Sequence, residues 1–299
     1  MHRDSRLRAP VDGEAARRGR LRTSLAIATA SAVVLALAAG PAVAARRGTA
    51  PATSRAAARA VVDLGTLPGG VMSGAAGLNS AGYVVGYTGV TDTTRAVLWR
   101  PNGSGSFAIT DLGMLPGADV SSALAINDSG LIVGTSGAAD AIYHAVLWRP
   151  TASGSFTVTD LGTLPGDAVS GPSAINDSGL IAGYSATIDG ISHAVLWRPT
   201  GSGSFTVTDL GMLPGDSTGS ASAIDSNGRV AGESGATAGD DHAVVWSPTG
   251  PGSFSIERLE PLAGDSLSTA RGINDAGLVV GSSFRSTGPE HAVAWTRGG

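Results

Sequence analysis

Beyond residue 60 the apolar positions of this 299-residue chain fall in short runs, and none keeps a helical period over ten residues or more. The stretch 173–211 shows the pattern. SAIN (173–176), LIAGYS (180–185), HAVLW (193–197) and FTVTDLG (205–211) read as four short strands separated by turns. NDSG (176–179) supplies an Asn that can cap a turn and a Gly that accepts positive φ, while SGS (202–204) and LPG (164–166) make the other tight connections. The second and third strands are apolar on both faces, as strands sandwiched between neighbouring sheets should be. The first is built of Ser, Ala and Ile, small enough to crowd around an axis. The fourth alternates apolar and polar, as an outer, partly wet strand should. The pattern predicts an all-β chain.

This four-strand unit recurs. Trp99, Trp148, Trp197, Trp246 and Trp295 are spaced 49 residues apart. Asn79, Asn127, Asn176, Asp225 and Asn274 keep step, as do Gly86, Gly134, Gly183, Gly232 and Gly281. LPG recurs at 67–69, 115–117, 164–166 and 213–215, and becomes LAG at 262–264. A four-stranded unit of about 50 residues suits a β-propeller blade. Strands one to three occur five times. The fourth occurs five times too, but its first copy, VVDLG (61–65), precedes any complete unit, and the last unit ends at HAVAW without one. The expected architecture is therefore a five-bladed β-propeller of four-stranded blades, its ring closed by the N-terminal strand completing the C-terminal blade. A solenoid would not explain the permuted start.

The motifs LGTLPG, INDSGLIVG and HAVLW together resemble the HAF family of probable extracellular repeat proteins. The resemblance spans residues 61–297, with Val where that family has Phe, Arg95 for the first His, Asp225 for one Asn, and a worn turn at 261–264. It implies an exported repeat protein and brings no catalytic residues to carry over.

The first 44 residues have a different character. Arg17, Arg18, Arg20 and Arg22 precede the apolar run 25–40, then Pro41 and the small-residue site Ala42-Val43-Ala44. A basic region, an apolar region and a small-x-small site predict a secretory signal peptide over 1–44. A retained anchor is the competing reading, but the run is Ala-rich and Ala inserts weakly. Residues 45–60 carry no apolar period and read as a disordered linker before the repeat domain, 61–299. Extracellular localisation follows.

Composition narrows the chemistry. The chain has no Cys and no Lys, which removes disulfides, thiolate nucleophiles, Schiff bases and the phosphate-loop lysine. Seven of the 20 Arg and three of the 24 acidic residues lie in 1–44, leaving 13 basic against 21 acidic in the remainder. That balance argues against nucleic acid and anionic membrane surfaces as partners.

His144, His193, His242 and His291 each stand four residues before a Trp. On third strands they form a wide ring that cannot converge on one ion, and Arg95 in the first unit abolishes ligation there. They read as structural donors, and the five Trp as buried packing residues. GDSTG (215–219) and GDSL (264–267) match hydrolase motifs by letter, but no helix is predicted after either, as a nucleophile elbow requires. Asp128, Asp177 and Asp275 in the NDxG turns, with Asp167 and Asp216 after LPG, are candidate ligand-loop residues. Their equivalence argues against catalytic carboxylates, which need unlike environments.

These readings predict a secreted, non-enzymatic, monomeric propeller without cofactor or metal. It would be a multivalent binder of an extracellular glycan or protein. A polysaccharide hydrolase of propeller fold and a purely structural cell-surface module are the alternatives.

Overall fold

A computed structural model describes residues 61–90, 93–138, 142–201, 203–236 and 240–297. The expected signal peptide and linker lie outside the described residues. Among the described residues, nineteen antiparallel strands fall into five sheets. The first holds β1 (Met72–Leu78), β2 (Val84–Val90), β3 (Thr93–Pro101) and β4 (Phe107–Asp111). The second holds β5 (Val120–Ile126), β6 (Ile132–Gly137), β7 (Tyr143–Pro150) and β8 (Phe156–Asp160). The third holds β9 (Val169–Ile175), β10 (Ile181–Ala186), β11 (Ser192–Pro199) and β12 (Phe205–Asp209). The fourth holds β13 (Thr218–Ile224), β14 (Val230–Gly235), β15 (His242–Gly250) and β16 (Ser253–Arg258). The fifth holds only β17 (Leu267–Ile273), β18 (Val279–Phe284) and β19 (His291–Trp295). Each sheet is a meander of sequential strands, and the first strands of successive sheets lie side by side. This is a propeller-like all-β fold of five blades. Among the described residues no helix is long and apolar enough to cross a membrane.

Tryptophan sets the spacing between blades. Trp99, Trp148, Trp197 and Trp246 are buried. Trp148 packs with Val146 and Ile132 of its own blade against Val85, Ala96 and Leu98 of the blade before. Trp197 meets Val133 and Leu147 in the same way, and Trp246 meets Ala182 and Leu196. Each indole N–H donates to the backbone carbonyl that ends the preceding fourth strand: Trp148 to Gly113 at 3.2 Å, Trp197 to Gly162 at 3.2 Å, Trp246 to Gly211 at 3.0 Å. The apolar face is buried and the one polar atom is satisfied.

The recurrent Gly of the second strand has a steric cause. In every blade the pairing of strands one and two slips by a bulge, for example between Ala123 and Ala125. The bulge presses a carbonyl of strand one against the Gly opposite. A Cβ on Gly86, Gly134, Gly183, Gly232 or Gly281 would overlap the carbonyl oxygen of Gly74, Ser122, Gly171, Ser220 or Thr269 respectively. Only Gly fits there.

The chain's ends depart from the expected closure. Residues 61–66 belong to no strand, β19 pairs only with β18, and the fifth sheet stays three-stranded. The N-terminal segment meets the first blade as a preceding fourth strand does. Trp99 Nε1 donates to Gly65 O at 3.3 Å, and Leu67 N donates to Thr88 Oγ1 at 3.4 Å. The facing surface of the first blade, Val97 and Trp99, is already buried.

Candidate functional site

Two sets of loops, at opposite ends of the sheets, hold the candidate residues. The NDxG turns join strands one and two. In each, the Asn or Asp carboxamide or carboxyl Oδ1 accepts the N–H four residues on, as Asn127 does from Leu131 at 2.9 Å. Gly130, with φ of 79°, completes the turn.

The turns also bind one another. Nδ2 of Asn79 donates to Asn127 O at 3.2 Å, Asn127 to Asn176 O at 3.0 Å, and Asn176 to Asp225 O at 2.9 Å. In the reverse sense, Oδ1 of Asp128 accepts Ser80 N at 2.8 Å, Asp177 accepts Asp128 N at 2.9 Å, and Asp275 accepts Ser226 N at 2.9 Å. Hydrogen bonds from Ser80 hold Asp128 below its ordinary 3.8, and those from Ser226 do the same for Asp275, aided by Arg229.

The fourth turn breaks the rule and repairs it. Asp225 has no amide to pass forward. Its side chain is fully buried and pairs with Arg229, whose Nε donates to Oδ2 at 2.6 Å. Nη2 of Arg229 then reaches Asn274 O at 3.3 Å and Asp275 O at 2.9 Å, supplying the missing link to the fifth turn. The signal was present in the sequence: Arg229 stands where other units have Tyr83, Leu131, Leu180 and Leu278, in the same repeat that replaces Asn by Asp.

All five turns line one space of about 550 Å³, broadly open to solvent, which includes Asp128, Asp177, Asp225 and Asp275. The candidate acids Asp128, Asp177 and Asp275 are thus brought together. Asp128 N is spent on Asp177, and Ser80 and Ser226 bond Asp128 and Asp275 through their side chains as well as their backbone N–H groups. The rim offers acceptors.

Asp167 and Asp216 lie at the other end and do not join this group. Asp167 Oδ2 accepts Ser185 Oγ at 2.7 Å, and Asp216 Oδ2 accepts Ser234 Oγ at 2.6 Å. Asp265 repeats the contact with Ser283 at 2.8 Å. The serines also accept the backbone N–H of Leu164, Leu213 and Leu262, and are themselves fully buried. Nδ1 of His193, His242 and His291 stands 3.5, 3.9 and 3.9 Å from these carboxylates, beyond a good hydrogen bond. Where the turn lacks Asp, the third-strand side chain goes elsewhere: His144 Nδ1 lies 2.7 Å from Asp160 Oδ2, and Arg95 Nε lies 2.8 Å from Asp111 Oδ2. Asp, His and Ser meet here by letter only, since the hydroxyl is buried and bonded to the carboxylate rather than to the imidazole.

One group is unlike its counterparts. Glu233 of β14 and Asp241 just before β15 are both pushed up, first by burial and then by neighbouring acids; Asp241 acts on Glu233, while Asp240 and Asp216 act on Asp241. Arg271 partly offsets this for Glu233, and His242 for Asp241. The repeat hid the pair, because other units carry Tyr87, Thr135, Tyr184 and Ser282 at the position of Glu233. Among the described residues no group of three or more His, Cys, Asp or Glu is placed to hold a metal.

No family model matches the chain, and no curated protein matches it. Among solved structures it is similar to a mutant of AofleA from Arthrobotrys oligospora, with 12% identity and a TM-score of 0.42. That match covers 80% of this chain and 72% of the other.

Proposed function

We propose that this is a secreted, non-enzymatic repeat protein that binds an extracellular glycan through the cavity ringed by the NDxG turns. The observation that carries the reading is the convergence of five near-equivalent turns on one space of about 550 Å³, within the size range of small-ligand sites. The rim presents the carboxylates of Asp128, Asp177 and Asp275. A polyhydroxylated ligand supplies the complementary donors. Equivalent loops then act on one ligand together, rather than as one weak site per blade. The test is a glycan array followed by titration. One site per chain is expected, with Asp177→Asn and Asp128→Asn each weakening binding about tenfold, the worth of one charge-assisted hydrogen bond. Binding that survives both substitutions unchanged, or no binding to any glycan, would refute it.

The second reading, a polysaccharide hydrolase, is favoured by Glu233 and Asp241, the one asymmetric carboxylate pair with raised affinity for protons. Under the binding reading, polysaccharide is not consumed and Glu233→Gln leaves glycan affinity unchanged. Turnover lost in Glu233→Gln would select the hydrolase instead.

A further inference from the structure

The chain has two Asn-Gly steps, 102–103 and 227–228. An Asn followed by Gly can lose its side-chain amide to attack by the next backbone nitrogen, because Gly has no Cβ to obstruct the approach. The fold treats the two steps in opposite ways.

Asn227 lies in the fourth NDxG turn. The nitrogen that would attack, Gly228 N, donates to Asp225 O at 3.2 Å. Asp225 Oδ1 accepts Asn227 N and Arg229 N on either side, both at 2.9 Å. Gly228 is buried, and a Cβ there would stand 3.2 Å from Leu180 of the blade before. Attack requires this turn to open.

Asn102 lies in the exposed loop between β3 and β4. Gly103 N has no hydrogen bond among the described residues, and a Cβ on Gly103 would meet nothing within 4 Å. The nucleophile is unencumbered, and the group it would attack is polarised. Asn102 Oδ1 accepts Ser104 N at 3.2 Å and Ser104 Oγ at 2.7 Å, while Asn102 Nδ2 donates to Ser106 Oγ at 2.6 Å. Two donors therefore meet the oxygen on which negative charge would collect, and a hydroxyl touches the nitrogen that would leave. Thr151, Thr200 and Thr249 hold the equivalent position in the next three units, so those loops have no amide to lose there.

We propose that Asn102 is a self-modifying site, where the loop converts its own amide to a carboxylate. Gly103 N forms a bond to Asn102 Cγ, and the Cγ–Nδ2 bond breaks. The Gly103 amide proton passes through solvent to the departing nitrogen, which leaves as ammonia. Water then opens the cyclic imide at either carbonyl, giving Asp or its β-linked isomer at position 102. The conversion consumes water, releases ammonia and oxidises nothing. It places a new negative charge on the first blade, next to Pro101, which lies against Gly82 of the first turn.

The test is to incubate the folded full chain in mildly alkaline water enriched in heavy oxygen, and to follow label by peptide mass. Label should enter at residue 102 about tenfold faster than at 227, the worth of the hydrogen bond that must break at Gly228 N. Ser104→Ala removes one donor to Oδ1 and should slow the reaction at 102 by roughly two- to tenfold. Ser104 is exposed, so that variant should melt as the unsubstituted chain does. In denaturant the two sites should react at similar rates, because only the fold distinguishes them. Equal rates at the two sites of the folded chain, or label entering first at 227, would overturn the proposal. So would no label at 102, or an unchanged rate there in Ser104→Ala.

Discussion

A single indole carries two tasks at each blade junction, filling volume and closing a backbone hydrogen bond. Trp197→Ala should therefore cost about 3–5 kcal/mol, seen as a lower midpoint in denaturant with little change in slope. Glu233 makes a second prediction. Its folded value lies above the ordinary 4.5, so its contribution to stability is complete below 4.5 and lost as pH rises through the folded value. Glu233→Gln should consequently melt higher than the unsubstituted protein at pH 7, with the gap closing near pH 4. Asp128 and Asp275 have the opposite sign: lowered from 3.8, they stabilise above it and cease to as pH falls through their folded values. The Trp role could be read from spacing and apolar context. The behaviour of Glu233 could not, because it arises from Asp241 and Arg271, which fold rather than sequence pattern brings near it.

Within the strand and turn elements, the repeated letters prove to be steric and hydrogen-bonding instructions. Gly183→Ala should cost about 1–3 kcal/mol, since the new methyl group overlaps the Gly171 carbonyl across the bulge. The fourth NDxG turn offers a thermodynamic cycle. Arg229→Leu alone strands the buried Asp225 carboxylate and should lose about 3–5 kcal/mol by chemical denaturation. Adding Asp225→Asn restores the amide relay of the other turns and should recover most of the loss. The sequence marked the strands, their order and the turns, because period and turn chemistry are local. It did not mark the turn-to-turn bonds, because Asn127 and Asn176 are 49 residues apart and meet only when blades stack.

For the whole molecule, two end blades have different surroundings. The fifth has an open edge, exposed Val280 and a half-buried Trp295, while the second, third and fourth each have a covered Trp and a full set of strands. Amide exchange should be fastest in β18 and β19 and slowest in β6, β10 and β14. Strand counting anticipated five blades and the N-terminal fourth-strand segment. Among the described residues that segment meets Trp99 through Gly65, while β19 is hydrogen-bonded to β18 alone.

The relay that links neighbouring turns has a bearing on how such a chain can change its length. Every junction up to Asn176 uses the same Asn-to-carbonyl bond, so a whole unit could be duplicated or lost by unequal crossing-over there and each new neighbour would still find its contact. One window is different. A crossover falling between codons 225 and 229 would separate the buried acid from the guanidinium that neutralises it, leaving a daughter with an unpaired charge. A crossover that keeps codons 225 and 229 on one side carries the pair over intact.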